Sequence, residues 1–346
     1  MVDVSRFTGC LIGGAIGDAL GYPIEFMSYE QILDSYGVNG MDKPLLNENK
    51  LVEISDDTQM TLFTAEGLLW ANLVRKKRGH SDIASRCFYS YQRWLHTQDY
   101  PLADKDYDWI LREERLEFES PLLKTEELFQ RRNPSVTCLE SLMNAKNQDF
   151  GRMDLPINKS KGSGGIMRIA PVGLAFYKTP KKAFQIGCSV AAITHTHPTA
   201  YYAAGTLSAI ISYILCGSSI KEAAEKSLMI LSCCPGSEET KDAINEVLTK
   251  DVKQKEAIYS LGEGFVAEEA LAMGLFSALC FEEDYESAIV MAVNHNGNSP
   301  TVGSICGNIL GAKLGIDGIK DDWIQVLEHK NLVIEMAYQL FQSYKE

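Results

Sequence analysis

Ile54-Ser55-Asp56-Asp57-Thr58-Gln59-Met60, running on into TLFTAEGLLW at 61–70, reads as the opening of a helix. Met60, Phe63, Gly67 and Leu68 fall near the i, i+3, i+7, i+8 spacing of one helical face. Ser55 stands where an N-cap belongs, and Asp56 and Asp57 occupy the first turn, where carboxylates oppose the macrodipole. That local chemistry accounts for all three residues. They also have a second reading. Two adjacent carboxylates beside two hydroxyls are hard oxygen donors, the kind that suit Mg, Mn or Ca. Two carboxylates seldom suffice for such an ion, so this reading demands a second ligand group elsewhere in the chain.

Working outward from that stretch, FTGCLIGGAIGDALGYPIEF (7–26) places Gly13, Gly14, Ala15, Gly17, Ala19 and Gly21 inside an apolar segment. Glycine is unfavourable within a helix, so this composition predicts a helix packed very close to a neighbour. Asp18 is its one charge before Glu25, and a buried Asp either caps a neighbouring helix or binds a cation. From Leu69 to about Arg132 the pattern is helical and charged, and the run Arg112–Glu119 reads as a solvated face. NPSVTCLESL (133–142) predicts a turn leading into a short helix, and 147–161 a polar loop.

That loop ends in Lys161-Gly162-Ser163-Gly164-Gly165, whose backbone amides could approach an anion closely. It is neither a Walker A nor a GxGxxG sequence. Thr194-His195-Thr196-His197-Pro198 precedes the uncharged run TAYYAAGTLSAIISYILC (199–216). The run has the length of a membrane span, but Tyr, Ser, Thr and Gly recur through it and basic flanks are absent, so it is read as a buried central helix. Pro235–Lys255 is the most linker-like segment. A helix is predicted within Leu261–Leu275, and VNHNGNSPTVGSICGNILGAKLG (293–315) mirrors the chain's start, with a polar loop followed by a small-residue helix. Asp321–Tyr344 reads as one amphipathic helix. Strand-like runs are scarce, so the predicted fold class is all-α.

A length of 346 residues favours about two domains as a first expectation. The net charge of −13 argues against nucleic-acid backbones and anionic membranes as partners. Nine Cys with no secretory leader predict a reduced, cytoplasmic setting with free and mostly buried thiols, Cys233 and Cys234 among the packing residues.

Taken together, GCLIGGAIGDALGYPIEF, ISDDTQMTLFTAEGLL, YQRWLHTQ, NPSVTCLESL, KGSGGIMRIAPVGL, ITHTHP, LGEGFVAEEALAMGL and NHNGNSPTVGSICGNILGAKLG resemble the ADP-ribosylglycohydrolase family, the relatives of dinitrogenase reductase activating glycohydrolase. The resemblance spans nearly the whole chain and implies one compact all-α domain over 1–346, which overrides the two-domain expectation. It further implies a two-Mg site that holds ADP-ribose and cleaves at the distal ribose C1″. By position, Ser55, Asp56 and Asp57 match metal ligands, and Glu25 an acid near the ribose and water. Gly162, Ser163, Gly164 and Gly165 match the pyrophosphate loop, His195 a residue near the ligand, and Thr301 a metal-ligand Thr. The family's Asp-x-Asp-Thr or Asp-x-Asp-Ser is here Asn298-Ser299-Pro300-Thr301. Asn298 keeps a neutral carbonyl oxygen and Pro300 keeps none, so four carboxylates become two and one well-held Mg is expected. The preferred function is Mg-dependent release of ADP-ribose from a modified protein side chain or small ADP-ribosyl compound, with Glu25 and Asp57 catalytic. The alternative is an ADP-ribose-binding or partner-binding protein with impaired catalysis.

Overall fold

A computed structural model describes residues 3–98, 118–145 and 149–345. Fifteen helices follow one another among them: α1 (Val4–Gly21), α2 (Tyr29–Tyr36), α3 (Asp56–Arg78), α4 (Ile83–Thr97), α5 (Val136–Asn144), α6 (Ala170–Ala175), α7 (Pro180–Ala192), α8 (Pro198–Leu215), α9 (Ile220–Leu231), α10 (Glu238–Thr249), α11 (Ala267–Cys280), α12 (Tyr285–Val293), α13 (Ser299–Leu314), α14 (Asp321–Val326) and α15 (Lys330–Tyr344). Among the described residues there is no strand, only isolated bridges such as Val52 with Leu327 and Gly162 with Val266. The all-α expectation holds, and one hydrophobic cluster runs from Phe7 to Leu340 as a single helical domain.

The centre of that cluster is the antiparallel pair α1 and α13. Gly9, Gly13, Gly17 and Gly21 recur every four residues and so line one face of α1. They meet Gly311, Gly307, Gly303 and Ser299 in reverse order: a Cβ added at Gly13 would lie 2.4 Å from Gly307 O, and one at Gly17 2.0 Å from Gly303 O. The backbones touch where a side chain would hold them apart. Polar cross-links fix the register, Asn308 Nδ2 donating to Cys10 O at 2.8 Å and Arg6 Nε to Ala312 O at 2.7 Å. This pairing brings the end of α1, and therefore Glu25, beside the start of α13.

α3 begins at Asp56 with Ser55 as N-cap, as the sequence predicts, and ends at Gly79, whose φ of 81° is the left-handed conformation glycine tolerates best. Its lead-in, 52–55, is tied to the far end of the chain. Val52 N donates to Val326 O at 2.8 Å, Glu328 N to Val52 O at 3.1 Å, and Ile54 N to the Glu328 carboxylate at 2.6 Å. This strap explains one difference from expectation. Asp321–Tyr344 is two helices, because Leu327–His329 leave the helical path to bond with Val52 and Ile54, and His329 adopts a positive φ of 55°.

Other expectations divide. α5 follows NPSV as predicted, and α8 is buried nearly throughout. No described helix is long and apolar enough to cross a membrane. Pro235–Lys255 is not a linker: it contains α10, which buries Thr240, Ile244 and Val247 at i, i+4, i+7, so an amphipathic stripe overrides the polar composition. Cys233 is exposed rather than packed, whereas Cys10, Cys87, Cys138, Cys188 and Cys306 are buried and all nine thiols are free. Most of the charged run Arg112–Glu119 lies outside the described residues, as does part of the polar loop that precedes Lys161.

Candidate functional site

Two helix starts and one glycine loop meet at the end of the α1–α13 pair. At the first start, Ser55 Oγ accepts from Asp57 N at 3.1 Å and donates to Asp18 Oδ1 at 2.5 Å. Asp18 also accepts from Ser55 N at 3.0 Å, Thr58 N at 3.1 Å and Thr58 Oγ1 at 2.5 Å. Asp18 is thus the buried second cap of α3, fully occupied by that helix. Asp56 receives Ser135 N at 2.9 Å on Oδ2, and its own amide donates to Arg132 O at 3.0 Å. Asp57 differs. Its Oδ2 is buried and carries no hydrogen bond of good geometry, and neither does the nearby Thr301 Oγ1, although that hydroxyl is close enough to favour the charged carboxylate.

At the second start, Asn298 caps α13, its Oδ1 accepting from Thr301 N at 3.3 Å and its Nδ2 donating to Ser163 Oγ at 3.1 Å. Pro300 sits in the first turn, where a missing amide proton costs nothing. Asn298 and Pro300 are therefore both good helix starters here, and one lone pair of the Asn298 carbonyl oxygen is already engaged. The structure brings Asp57, Thr301, Asn298 and Ser163 into one contiguous group.

The electrostatics of this group are those of crowded buried acids. Burial, first, and then the neighbouring Asp18 and Asp56 carboxylates push Asp57 well above the usual carboxylate range. Asp56 is pushed up by burial as well, against the opposing pull of the Ser135 amide. Glu25 follows a 3₁₀ turn, Tyr22–Ile24, and is half-buried, with Asn133 Nδ2 donating to its Oε2 at 3.0 Å. Burial raises it to about 7, which the Asn133 hydrogen bond counters and the Asp18 charge reinforces.

These features bear on a metal. Two buried oxygens without partners, Asp57 Oδ2 and Thr301 Oγ1, with Ser299 Oγ also unpartnered nearby in sequence, form a hard-donor set. A bound dication would relieve the repulsion that raises Asp56 and Asp57. Among the described residues no three His, Cys, Asp or Glu side chains converge in metal-ligating geometry, so hydroxyl, amide and solvent oxygens must complete the shell. The residues fit one hard cation held on the α3 side. Ser55 has one lone pair left for it after capping Asp57.

The glycine loop forms a short 3₁₀ turn, Ser163–Gly165. It is pinned by Ser163 N donating to Phe265 O at 3.0 Å and Ala267 N donating to Lys161 O at 2.9 Å. The Gly164 amide lies in the first turn of this 3₁₀ segment and has no hydrogen-bond acceptor among the described residues. His195 is fully buried against this loop: a Cβ at Gly162 would lie 3.3 Å from its Nε2, and one at Gly164 2.9 Å from its Cε1. Burial and the Arg168 charge lower His195 to about 3, so its ring is neutral. Sequence reasoning missed the parts that Asn133 and Thr194 play. Asn133 touches Glu25 across 108 residues, a pairing that no local pattern encodes.

With this geometry established, comparison with known proteins is direct. The family model described as ADP-ribosylglycohydrolase matches residues 2–346. An uncharacterized protein of Archaeoglobus fulgidus is 25% identical over 341 residues, covering 97% of this chain and 96% of that one. The ADP-ribosyl-[dinitrogen reductase] glycohydrolase of Rhodospirillum rubrum is 23% identical, over 94% of this chain and 91% of its own length. Human (Homo sapiens) ADP-ribosylhydrolase ARH3 is 22% identical, over 98% and 94%. Among solved structures, an ADP-ribosylglycohydrolase-related protein complex superposes with a TM-score of 0.61 at 19% identity, covering 99% of this chain and 98% of that one, a likeness of fold. A match over all but the first residue, joined to the same helical architecture, establishes that this chain belongs to the ADP-ribosylglycohydrolase family.

Proposed function

We propose that this protein hydrolyses the bond between ADP-ribose and a protein side chain or small ADP-ribosyl compound, assisted by a single Mg ion. The observation that carries this reading is the unpartnered Asp57 carboxylate oxygen beside Thr301, at the junction of two helix starts and next to the half-buried Glu25. Bound there, Mg would supply Lewis-acid polarisation and a template for ribose hydroxyls. The chain's own residues do the rest. Glu25 positions water and accepts its proton. Asn133 orients the Glu25 carboxyl through the 3.0 Å hydrogen bond. The Gly162–Gly165 loop and His195 receive the pyrophosphate, and Asp56, held by the Ser135 amide, keeps the α3 start in place. The setting that fits nine free thiols is a reduced one, the cytoplasm.

The discriminating experiment measures free ADP-ribose released from ADP-ribosyl-arginine and ADP-ribosyl-serine, with and without Mg. Mg-dependent release supports hydrolysis. Tight ADP-ribose binding without release supports the second reading, a binding protein, which Asn298 and Pro300 favour because ordinary helix-start chemistry accounts for both.

Two expectations follow from the site. Glu25→Gln is expected to lower release by roughly 100-fold, the lower range for a general base. The active form is the carboxylate, so wild-type release rises as pH climbs through about 7, and the variant loses that rise. A nearby bound dication favours the carboxylate, so Mg should move the profile to lower pH. A wild-type rate in Mg that shows no fall anywhere between pH 8 and about 4, the ordinary Glu value, would remove Glu25 from this role.

The charge count predicts the metal stoichiometry. Calorimetric Mg titration of the wild type is expected to give one site, and Asn298→Asp with Pro300→Asp two, with higher release. Pro300→Ala controls for backbone freedom. Two well-occupied sites in the wild type would overturn the ligand count.

A further inference from the structure

Arg168 is completely buried, yet among the described residues no carboxylate lies within ion-pair distance of it. Its guanidinium stacks 4.1 Å from the Tyr91 ring centroid, and Nη1 points at two sulfurs, Met60 Sδ at 3.4 Å and Cys138 Sγ at 3.3 Å. Its one strong hydrogen bond runs from Nη2 to Thr194 Oγ1, at 2.7 Å. Burying a cation this way is expensive, so the bond it makes is informative.

The Thr194 hydroxyl has a single proton to give. Having accepted from Arg168, it has one acceptor in reach, His195 Nδ1 at 2.9 Å; Cys138 Sγ is 4.0 Å away and is itself a donor. If Nδ1 carried the ring proton instead, it would face the hydroxyl proton-to-proton, or force that proton to go unbonded in a buried site. Both ring nitrogens cannot be protonated, because burial and the Arg168 charge oppose a cationic ring. The proton of the neutral ring must therefore sit on Nε2. That atom is buried and has no acceptor among the described residues, and its ring lies against Gly162 and Gly164, where an added Cβ would stand 3.3 Å from Nε2 and 2.9 Å from Cε1, so the ring fits there only because neither residue carries a side chain.

We propose that Arg168 and Thr194 are positioning residues, a one-way hydrogen-bond relay that locks His195 as an Nε2–H donor toward an anionic group on the glycine loop. The inference rests on the ADP-ribose reading for the identity of that anion, a phosphate oxygen of a nucleoside diphosphate sugar. The relay itself rests on side-chain geometry. A neutral donor suits this place. It adds to the Gly164 amide without a second buried cation beside Arg168, and its tautomer is fixed before the ligand arrives, so the ring proton needs no rearrangement on binding.

The test uses the full-length protein in three forms: wild type, Thr194→Val and Thr194→Ser. Nitrogen-15 spectra of histidine-labelled protein report the His195 tautomer, assigned with His195→Gln, and calorimetry reports ADP-ribose affinity. The expected result is Nε2–H in wild type and Thr194→Ser, mixed or Nδ1–H signals in Thr194→Val, and ADP-ribose binding about tenfold weaker in Thr194→Val alone. Thr194→Val leaves Arg168 Nη2 without an acceptor, so its melting temperature is measured beside it. Should it fail to fold, the wild-type and Thr194→Ser spectra still decide the tautomer. An Nδ1–H signal in wild type overturns the relay, as does undiminished ADP-ribose affinity in a folded Thr194→Val. Wild-type protein showing the Nε2–H tautomer but no ADP-ribose binding overturns the ligand half of the inference together with the proposed function, and leaves the relay supported.

Discussion

Gly307→Val is expected to destabilise the protein by at least about 3 kcal/mol, the upper end for inserting volume into a packed interior. A Cβ at Gly307 would lie 2.1 Å from Gly13 O and 2.5 Å from Gly13 C. Both are backbone atoms, so no side chain can swing aside, and relief requires α1 and α13 to separate along their length. Separation would in turn break the Asn308 to Cys10 and Arg6 to Ala312 hydrogen bonds. The comparison variant is Gly79→Ala. It meets nothing within 4 Å but keeps a left-handed φ of 81°, so it should cost only about 1–2 kcal/mol. Denaturant unfolding midpoints measure both. A Gly307→Val midpoint equal to wild type would mean that the two helices are not held at backbone contact.

Glu66→Ala is expected to cost about 3–5 kcal/mol, because it strands a buried cation. Arg93 Nη1 lies 2.7 Å from Glu66 Oε1, and both side chains are fully inaccessible to solvent. Glu66 also accepts from Ser90 Oγ at 3.0 Å and from Ser120 Oγ, while Arg93 Nη2 donates to Phe118 O at 2.8 Å and stacks on Trp70 at 4.5 Å. Removing the carboxylate leaves Arg93 with one carbonyl and an aromatic face, too little to offset its lost hydration. The double variant Glu66→Leu with Arg93→Met removes both charges, and it should recover most of the loss. Thermal or urea unfolding of the single and double variants decides the matter. A double variant no better than Glu66→Ala would assign the effect to packing or to the serine hydrogen bonds.

What could be read in the sequence depended on how local its cause was. Ser55, Asp56 and Asp57 announce a helix start because capping joins residues two or three apart, and the structure keeps that start to the residue. The small residues recurring through 7–26 announced close packing, whereas their four-residue register against α13 follows from pairing two distant segments. α10 was hidden by its charged surface even though Thr240, Ile244 and Val247 carry the helical period. The break between α14 and α15 has no Pro or Gly to mark it, since its cause is a strap to Val52 and Ile54 some 270 residues away. The site divides along the same line. Asp57 was visible as an acid at a helix start, and Thr301 entered only through the family resemblance. The capping of α3 by Asp18, the Asn133 contact with Glu25 and the Thr194 relay exist only after distant segments meet.

The antiparallel pairing of α1 with α13 also sets a timetable. Almost 280 residues separate Gly21 from Ser299, and a ribosome adding about 5–20 residues per second needs on the order of half a minute to make them. Throughout that interval α1 exists without the surface it was shaped to touch, carrying a bare glycine groove and apolar neighbours such as Leu11, Ile12 and Ile16. Segments between them, α3 with α4 and α7 with α8, can assemble as they emerge, but the central contact cannot form until nearly the whole chain is out. Such long-range closure slows folding and prolongs the exposure of sticky surface. Nascent chains halted before Ser299 should therefore be heavy clients of holding chaperones, and chains halted after Leu314 much lighter ones.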